Sequence, residues 1–559
     1  MFQWGKGSTV TEGEGDGSEF LRWSRWHGSW FAATVALLAL LPWSVAHWPS
    51  QDGQNHLAVA HVVMHYDDPG SPFPEYLSIE RSFRPSTALY DILCVAARFM
   101  PLKTAEKALA SLALALLPCS LLILLRRALP RRATNAMLSL PFVSGWAFAM
   151  GFLNFQIGLS LAVAMLALGW DDASGAEARG LRARHGVAAV LYFLCVWAHP
   201  VAAIMAGLAL LLLEWRNVLQ PAEWPRIVTV LGPGAVFLLG SYIAAGAQGP
   251  GPGAQTETHF ADWATVLGGA FEYNVAYTPL ELIPRLAVAS VLLCFAYRGI
   301  RANPPHGAGP EAAVARLFIA FLVLYAVTPS SLHGWGYAST RFFLFAWLLL
   351  PAVADIPARV GRRLVVLGPA LTVAIVAIQW PCIDRASQVM QDILDVGVSL
   401  PRGSRLIPMD FTASVFGPQP LGHAWAELVV DKDAIACQLF AAGKPRMGGE
   451  RFRTLKFRSG LLDVSSGKLP WSTNESWHDV RRTCEDPSSP VRWFVSTPDT
   501  CTDLLEARRS GLETVIDRYD YVLMLDPPPY GRELIAEHLA LVSHVGAAWL
   551  YAVQDTHAG

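Results

Sequence analysis

Long apolar stretches, separated by short polar segments, dominate this chain from about residue 30 to residue 380. A helix needs ~20 mostly apolar residues to cross a bilayer, and about eleven runs reach or approach that length. The pattern therefore predicts an α-helical polytopic membrane domain with about eleven transmembrane helices. The runs lie near 30–47, 104–125, 134–150, 152–170, 186–199, 200–214, 226–246, 284–297, 313–329, 341–357 and 362–380.

The pattern changes after about residue 383. Short strand-like runs, such as 491–496 and 519–525, alternate there with helical stretches, such as 503–510 and 532–538. This alternation predicts a soluble α/β domain. We therefore expect a disordered cytoplasmic tail over 1–28, a transmembrane domain over 29–382 with an outer loop at 48–103, and the α/β domain over 383–559.

Basic clusters fall in alternate loops and set the predicted orientation. The positive-inside rule places them in the cytoplasm, together with the N-terminus, and leaves the loop 48–103 and the C-terminal domain outside. The stretch 86–100, STALYDILCVAARFM, carries Asp91 and Arg98, so we interpret it as a helix at the outer interface rather than a span. The clusters are Arg22 and Arg25, then basic residues within 126–132, 179–184, 216–226, 298–316 and 359–363.

Composition narrows the class of protein. A mean hydropathy of +0.34 with 16% charged residues excludes an ordinary soluble enzyme and makes membrane lipids a partner. The net charge of −2 offers no basic surface, so we expect no nucleic-acid partner. The predicted outer part holds four cysteines, which allow one or two disulfides whose pairing stays open: Cys382, Cys437, Cys484 and Cys501.

The most informative polar motif is SQDGQNHL, residues 50–57, directly after the first span. Asp52, Asn55 and His56 follow i, i+3, i+4 spacing, so one helical face would present all three. Asp52 would act as a general base toward an acceptor hydroxyl, with Asn55 and His56 binding phosphate or sugar. The alternative is that Ser50 or Asp52 only caps the following helix.

Other polar residues reach the same outer face from separate parts of the chain. Asn154, His199, His333 and Arg341 lie near the outer ends of predicted spans, and Arg341 suits a bidentate hold on a lipid phosphate. Glu272 follows a Pro/Gly-rich stretch and lies among aromatic residues, which is typical of a substrate lid. Each has a structural alternative as a cap, an interface anchor or a loop residue.

No motif demands a cofactor. Further acidic residues of the outer loop offer ligands for a divalent cation, so Mg²⁺ or Mn²⁺ stays open, whereas no paired His/Cys motif indicates zinc. The chain has no Gly-rich phosphate loop and no nucleophile elbow, which argues against ATP-driven transport and hydrolase chemistry. The acidic residues are Asp67, Asp68, Glu75 and Glu80.

The order of motifs resembles that of GT-C-type bacterial membrane glycosyltransferases. The segments that carry this resemblance are QDGQNHL, RSFRPSTALYDIL, GFLNFQIGLSLAVAML, WAHPVAAIMAGL and STRFFLFAWLLLP. More closely, the chain looks like a multi-pass branch whose first outer loop opens with Asp-x-x-Asn-His-Leu and whose chain ends in a periplasmic α/β domain.

The resemblance implies a transferase in a bacterial inner membrane. It would pass a sugar, with inversion, from a polyprenyl-phosphate carrier to an envelope acceptor on the periplasmic side, and Asp52 matches the family's acidic base. Asp52 is followed by Gly53 rather than by a second acidic residue. A non-catalytic GT-C-like component of polysaccharide assembly or lipid-linked-sugar translocation is therefore the alternative function.

Overall fold

A computed structural model provides the structure of the protein. It describes residues 24–170 except 82, 178–246, 260, 262–330 except 308, 337–412, 418–442 except 440, 454–458, 477, 480–481, 484–485 and 501–554. Most of the predicted N-terminal tail and the predicted strand 491–496 lie outside these residues.

The membrane domain is helical. Among the described residues, five helices are long and apolar enough to cross a bilayer, at 102–128, 221–244, 279–302, 310–327 and 358–399. Shorter apolar helices lie at 153–169, 183–198, 200–213 and 338–353. In chain order the helices up to the middle of this domain are α1 (Arg25–Leu40), α2 (Gly53–His65), α3 (Phe73–Tyr76), α4 (Ala88–Ala96), α5 (Leu102–Ala128), α6 (Trp146–Ala149), α7 (Leu153–Gly169), α8 (Ala178–Ala198) and α9 (Pro200–Leu213).

The second half of the chain continues this helical order and then adds the soluble domain. Its helices are α10 (Trp215–Val218), α11 (Trp224–Gly246), α12 (Trp263–Glu272), α13 (Leu282–Ala302), α14 (Pro310–Val327), α15 (Ala338–Val353), α16 (Ala358–Val396), α17 (Ala426–Lys432), α18 (Cys501–Glu513) and α19 (Pro529–Glu533). The strands are β1 (Leu77–Ile79), β2 (Arg405–Asp410), β3 (Ile435–Ala436), β4 (Ala441–Ala442), β5 (Leu455–Phe457), β6 (Tyr521–Leu525), β7 (Leu539–Val545) and β8 (Ala548–Val553).

The run 134–150 differs from a continuous membrane helix. It forms a 3₁₀ segment, Pro130–Phe142, followed by the single turn α6. Proline near each end of the segment removes a backbone donor. Two buried side chains of the segment donate hydrogen bonds to a neighbouring helix. Arg132 and Asn135 donate to the carbonyls of residues 351–354 at the end of α15. The segment therefore satisfies helix-terminal groups inside the bundle.

The stretch 86–100 forms only the nine-residue helix α4. This length is far below the ~20 residues needed to cross a bilayer. Asp91 accepts hydrogen bonds from the side chains of Thr87 and Trp197, which anchors α4 to α8. The segment therefore packs on the bundle and does not add a span.

The C-terminal domain is built on a mixed five-stranded sheet. Its order is β3-β2-β6-β8-β7, with β3, β2 and β6 parallel and β8 antiparallel to both of its neighbours. The predicted domain boundary at 382/383 lies inside α16, which runs on to Val396 before β2 begins. Of the four outer cysteines, Cys484 and Cys501 form a disulfide.

The domain docks directly on the outer loop. β1 of the loop pairs with β5 of the domain, with Leu77 opposite Phe457. Beside this strand pair, His61 of α2 contacts the Asp433 carboxylate at 2.8 Å, and Arg402 bonds the second oxygen of the same carboxylate. Loop and domain thus share both backbone and side-chain hydrogen bonds.

A fully buried ion pair links several elements of the bundle. Glu281 and Arg285 are 0% exposed and 2.8 Å apart. Arg285 also donates to the carbonyls of Ser144 and Asn274, while Gln379 of α16 donates to Glu281. The pair therefore connects α13, α16 and two loops.

Glu281→Gln should destabilise the protein strongly, because it leaves the Arg285 charge buried without a counter-charge. We expect a loss of about 3–5 kcal/mol in the free energy of unfolding, measured by thermal unfolding in detergent. Glu223→Gln is the matched control, because Glu223 pairs with Arg226 at a half-exposed position and should change stability little. Equal effects of the two substitutions would contradict this role.

Docking of the domain should weaken as pH falls below about 6.5. Burial lowers the pKa of His61 from its ordinary value of 6.5, so the docked state favours the neutral imidazole and the released state binds the proton more readily. Burial alone would raise the pKa of Asp433, but hydrogen bonds from His61 and Arg402 outweigh it and lower that pKa, so its contribution is lost only at more acidic pH. Limited proteolysis of the docked domain should proceed faster at pH 5 than at pH 7.5.

His61→Gln keeps a hydrogen-bond donor and cannot titrate in this range. The difference between pH 5 and pH 7.5 should therefore shrink in this variant. A wild-type protein that is cleaved at the same rate at both pH values would show that His61 does not govern docking.

Candidate active site

The site begins at the turn between α1 and α2. Asp52 occupies the position before the first residue of α2, yet its side chain makes no capping hydrogen bond. The Ser50 hydroxyl is buried and makes no hydrogen bond to α2 either. The capping alternative is therefore not what these side chains do.

Backbone contacts hold this turn against the segment that follows α6. The amides of Gln51 and Asp52 donate to the carbonyls of Ala149 and Met150, each at 2.9 Å. Gly151 has a φ of +75°, and a Cβ there would lie 2.5 Å from the Gly53 amide nitrogen. The close approach of two backbones thus fixes where Asp52 lies.

Basic groups from two different parts of the chain lie near the Asp52 carboxylate. Arg341, at the start of α15, is close enough for its charge to interact with that of Asp52. The Arg341 guanidinium packs over the rings of Phe152 and Phe155, at 5.5 and 5.8 Å from their centroids. From the C-terminal domain, His423 Nε2 lies 3.5 Å from Asp52 Oδ1.

Two further imidazoles lie in the same region. His199 packs against the Phe155 ring and interacts electrostatically with Arg341 and with His56. His56 Nδ1 is 2.9 Å from the Tyr90 hydroxyl of α4. The structure therefore gathers Asp52, His56, His199 and Arg341, four residues that lie far apart in the sequence.

The other predicted residues have different surroundings. Asn55 is fully buried and donates to the carbonyl of Gln438 at 3.0 Å, and thus contributes to domain docking. The Asn154 side chain accepts from the next backbone amide, that of Phe155. His333 lies outside the described residues.

Glu272 lies at the end of α12 beside an aromatic wall rather than at Asp52. Burial raises its pKa, and its charge interacts with Tyr273. The Tyr273 ring contacts Trp146 at 5.2 Å, and Trp146 contacts Tyr337 at 4.9 Å. This wall reaches the Phe152 ring below Arg341.

The acidic loop residues do not converge on Asp52 as metal ligands. Three of them pair with basic side chains instead, and a divalent-cation site stays a prediction. These pairs are Asp67 with Arg81, Asp68 with His65, and Glu80 with Arg84.

Sequence reasoning missed two groups next to the turn. His423 lies about 370 residues downstream, and no local pattern marks it. Glu106 lies 5% exposed on α5, with one oxygen close to Gly53, and an ionisable residue in an apolar helix was a signal that could have identified it.

Comparison with known proteins places the fold. No protein-family model matches the chain, and no curated protein matches it. The crystal structure of ArnT from Cupriavidus metallidurans bound to undecaprenyl phosphate superposes with a TM-score of 0.54 at 9% identity, covering 96% of this chain and 99% of that one. The apo ArnT structure gives 0.51 at 9% identity, covering 94% and 98%.

The chain has the fold of the ArnT structures, a GT-C-type fold. Because the match runs over nearly the whole length of both chains, it includes the membrane bundle and the C-terminal domain. The predicted helical membrane domain with a C-terminal α/β domain is confirmed, and the protein is a multi-pass membrane protein. The number of about eleven spans stays a prediction. Within this fold, the turn that carries Asp52 opens the segment between α1 and α5.

Gly151→Ala should displace the Asp52 turn, because the new Cβ would collide with the Gly53 amide. Gly70→Ala is the matched control, since Gly70 has a φ of +80° with nothing within 4 Å. Both variants carry backbone strain of about 1–2 kcal/mol, and Gly151→Ala should lose at least about 1 kcal/mol more. Thermal unfolding of both in detergent measures the difference, and equal losses would show that the close approach costs nothing.

Proposed function

We propose that this protein is a membrane glycosyltransferase. It takes a sugar from a polyprenyl-phosphate carrier and passes it to a cell-envelope acceptor on the periplasmic side of the inner membrane. The observation that carries the proposal is the Asp52 carboxylate, which makes no helix cap and lies among Arg341 and three imidazoles. Such a cluster combines one base with several groups that favour an anion.

The proposed reaction needs a base at the acceptor. Asp52 takes the proton of the acceptor hydroxyl while the acceptor oxygen bonds to the anomeric carbon of the sugar. The bond from that carbon to the phosphate oxygen breaks on the opposite face, and its electron pair leaves with the lipid phosphate. A single attack of this kind inverts the anomeric configuration.

The donor phosphate needs positive charge. Arg341 offers a planar fork of donors that matches phosphate oxygens, and its stacking on Phe152 and Phe155 fixes the plane of that fork. His56 and His199 add donors beside it. ArnT, which shares the fold, binds undecaprenyl phosphate, and this supports a polyprenyl phosphate as the ligand here.

Asp52→Asn should abolish transfer and preserve donor binding, because the amide keeps the shape of the carboxylate and cannot accept the proton. Purified protein in lipid, given polyprenyl-phosphate sugars and acceptor-containing membrane extract, should release polyprenyl phosphate at least ~100-fold more slowly. Arg341→Gln should instead weaken the binding of undecaprenyl phosphate.

Asp395→Asn is the matched control, because Asp395 is exposed on α16 and accepts a hydrogen bond from Gln391. It should leave turnover unchanged. Wild-type protein that binds undecaprenyl phosphate but transfers no sugar from any donor would favour the alternative, a non-catalytic component of polysaccharide assembly.

A further inference from the structure

One segment of the C-terminal domain, residues 418–438, contacts the Asp52 turn at three points. The Gln419 amide donates to the Gln51 side chain at 2.8 Å. His423 Nε2 lies 3.5 Å from Asp52 Oδ1, and the Gln438 carbonyl accepts from Asn55 at 3.0 Å. The soluble domain therefore touches the candidate base and residues on both sides of it.

Packed elements hold the segment that carries His423. Its ring meets the fully buried Trp425 edge-on at 5.8 Å, and α17 begins one residue later. Glu427, on the first turn of α17, forms an ion pair with Lys103 of α5. Because this ion pair joins the domain to the bundle, the position of His423 relative to Asp52 is set by packed elements.

We propose that His423 is a positioning residue for Asp52, so that the C-terminal domain supplies part of the active site. This inference rests on the proposed function. In the productive state, His423 Nε2–H donates to one Asp52 oxygen and leaves the other to face the acceptor hydroxyl. The proton of that hydroxyl moves to Asp52, and His423 forms and breaks no covalent bond.

Asp52 needs a positioning residue because no helix cap fixes the orientation of its carboxylate. The Asp52 side chain makes no cap bond to α2, so its orientation depends on what meets it from outside the helix. Arg341 attracts it from the bundle side, where the donor phosphate competes for the same guanidinium. A second donor, from the C-terminal domain, keeps the carboxylate turned toward the acceptor when the phosphate occupies Arg341.

His423→Ala should lower the turnover number and spare donor binding. A base misplaced by about 1 Å costs up to about 100-fold, so we expect kcat to fall about 10- to 100-fold. The KM for the polyprenyl-phosphate sugar and the binding of undecaprenyl phosphate should stay within about twofold. The assay is the release of polyprenyl phosphate by full-length protein in lipid.

His423→Gln tests the hydrogen bond itself, because its amide N–H reaches about as far as Nε2. It should recover most of the lost turnover, whereas His423→Met, which fills the space without a donor, should not. His544→Gln is the control, since His544 is exposed and stacks on Trp549. Thermal unfolding of each variant shows that the domain is folded.

Each outcome decides the question. Wild-type kcat in His423→Ala would overturn this inference and leave the proposed function standing. If His423→Gln and His423→Met lose kcat equally and both lower the thermal stability, His423 is a packing residue. That result would also overturn this inference. Wild-type protein without turnover from any donor would overturn the proposed function, and this inference with it.

Discussion

The buried pair of Glu281 and Arg285 is the constraint on which the packing of α13, α16 and the adjoining loops depends. Two charges with no access to water persist only where hydrogen bonds surround both of them. The backbone amides of residues 277 and 278 donate to Glu281, and the Tyr277 hydroxyl donates to the Pro49 carbonyl just before the site turn. The same network thus fixes the aromatic wall and the entry of the chain into the site.

The candidate site lies between two parts of the chain with different architectures, the helical bundle and the α/β domain. Arg341 and His199 belong to the bundle, where apolar helix packing holds them. His423 belongs to the α/β domain, which is built on a sheet and short helices. Asp52 lies between the bundle and the domain on a turn held by the backbone of residues 149 and 150. In the proposed reaction, a docking contact such as that of His61 with Asp433 therefore bears on chemistry as well as on stability.

Sequence alone could predict the fold class. Long apolar runs indicate helices that cross a bilayer, and strand-like alternation indicates a sheet. Sequence could also select Asp52, His56, His199 and Arg341, since polar residues at the outer ends of spans are few. It could not show whether Asp52 caps α2, because capping depends on the orientation of the Asp52 side chain. His423 was beyond prediction, because only the docked domain brings it near. The apolar run 134–150 predicts a span, whereas much of it is 3₁₀, because 3₁₀ and α segments can carry the same apolar residues.

The helix α16 has a mechanical consequence. Its 39 residues extend about 58 Å at ~1.5 Å per residue, nearly twice the ~30 Å of the hydrocarbon core. The same rod that crosses the lipid therefore continues into the soluble domain, where Asp392 accepts from the Ala547 amide in the β7–β8 turn. Two prolines, Pro369 and Pro381, lie inside this helix and are the positions at which it can bend. A bend at either proline therefore shifts the β7–β8 turn relative to the bundle, so the helix couples the lipid to the sheet mechanically.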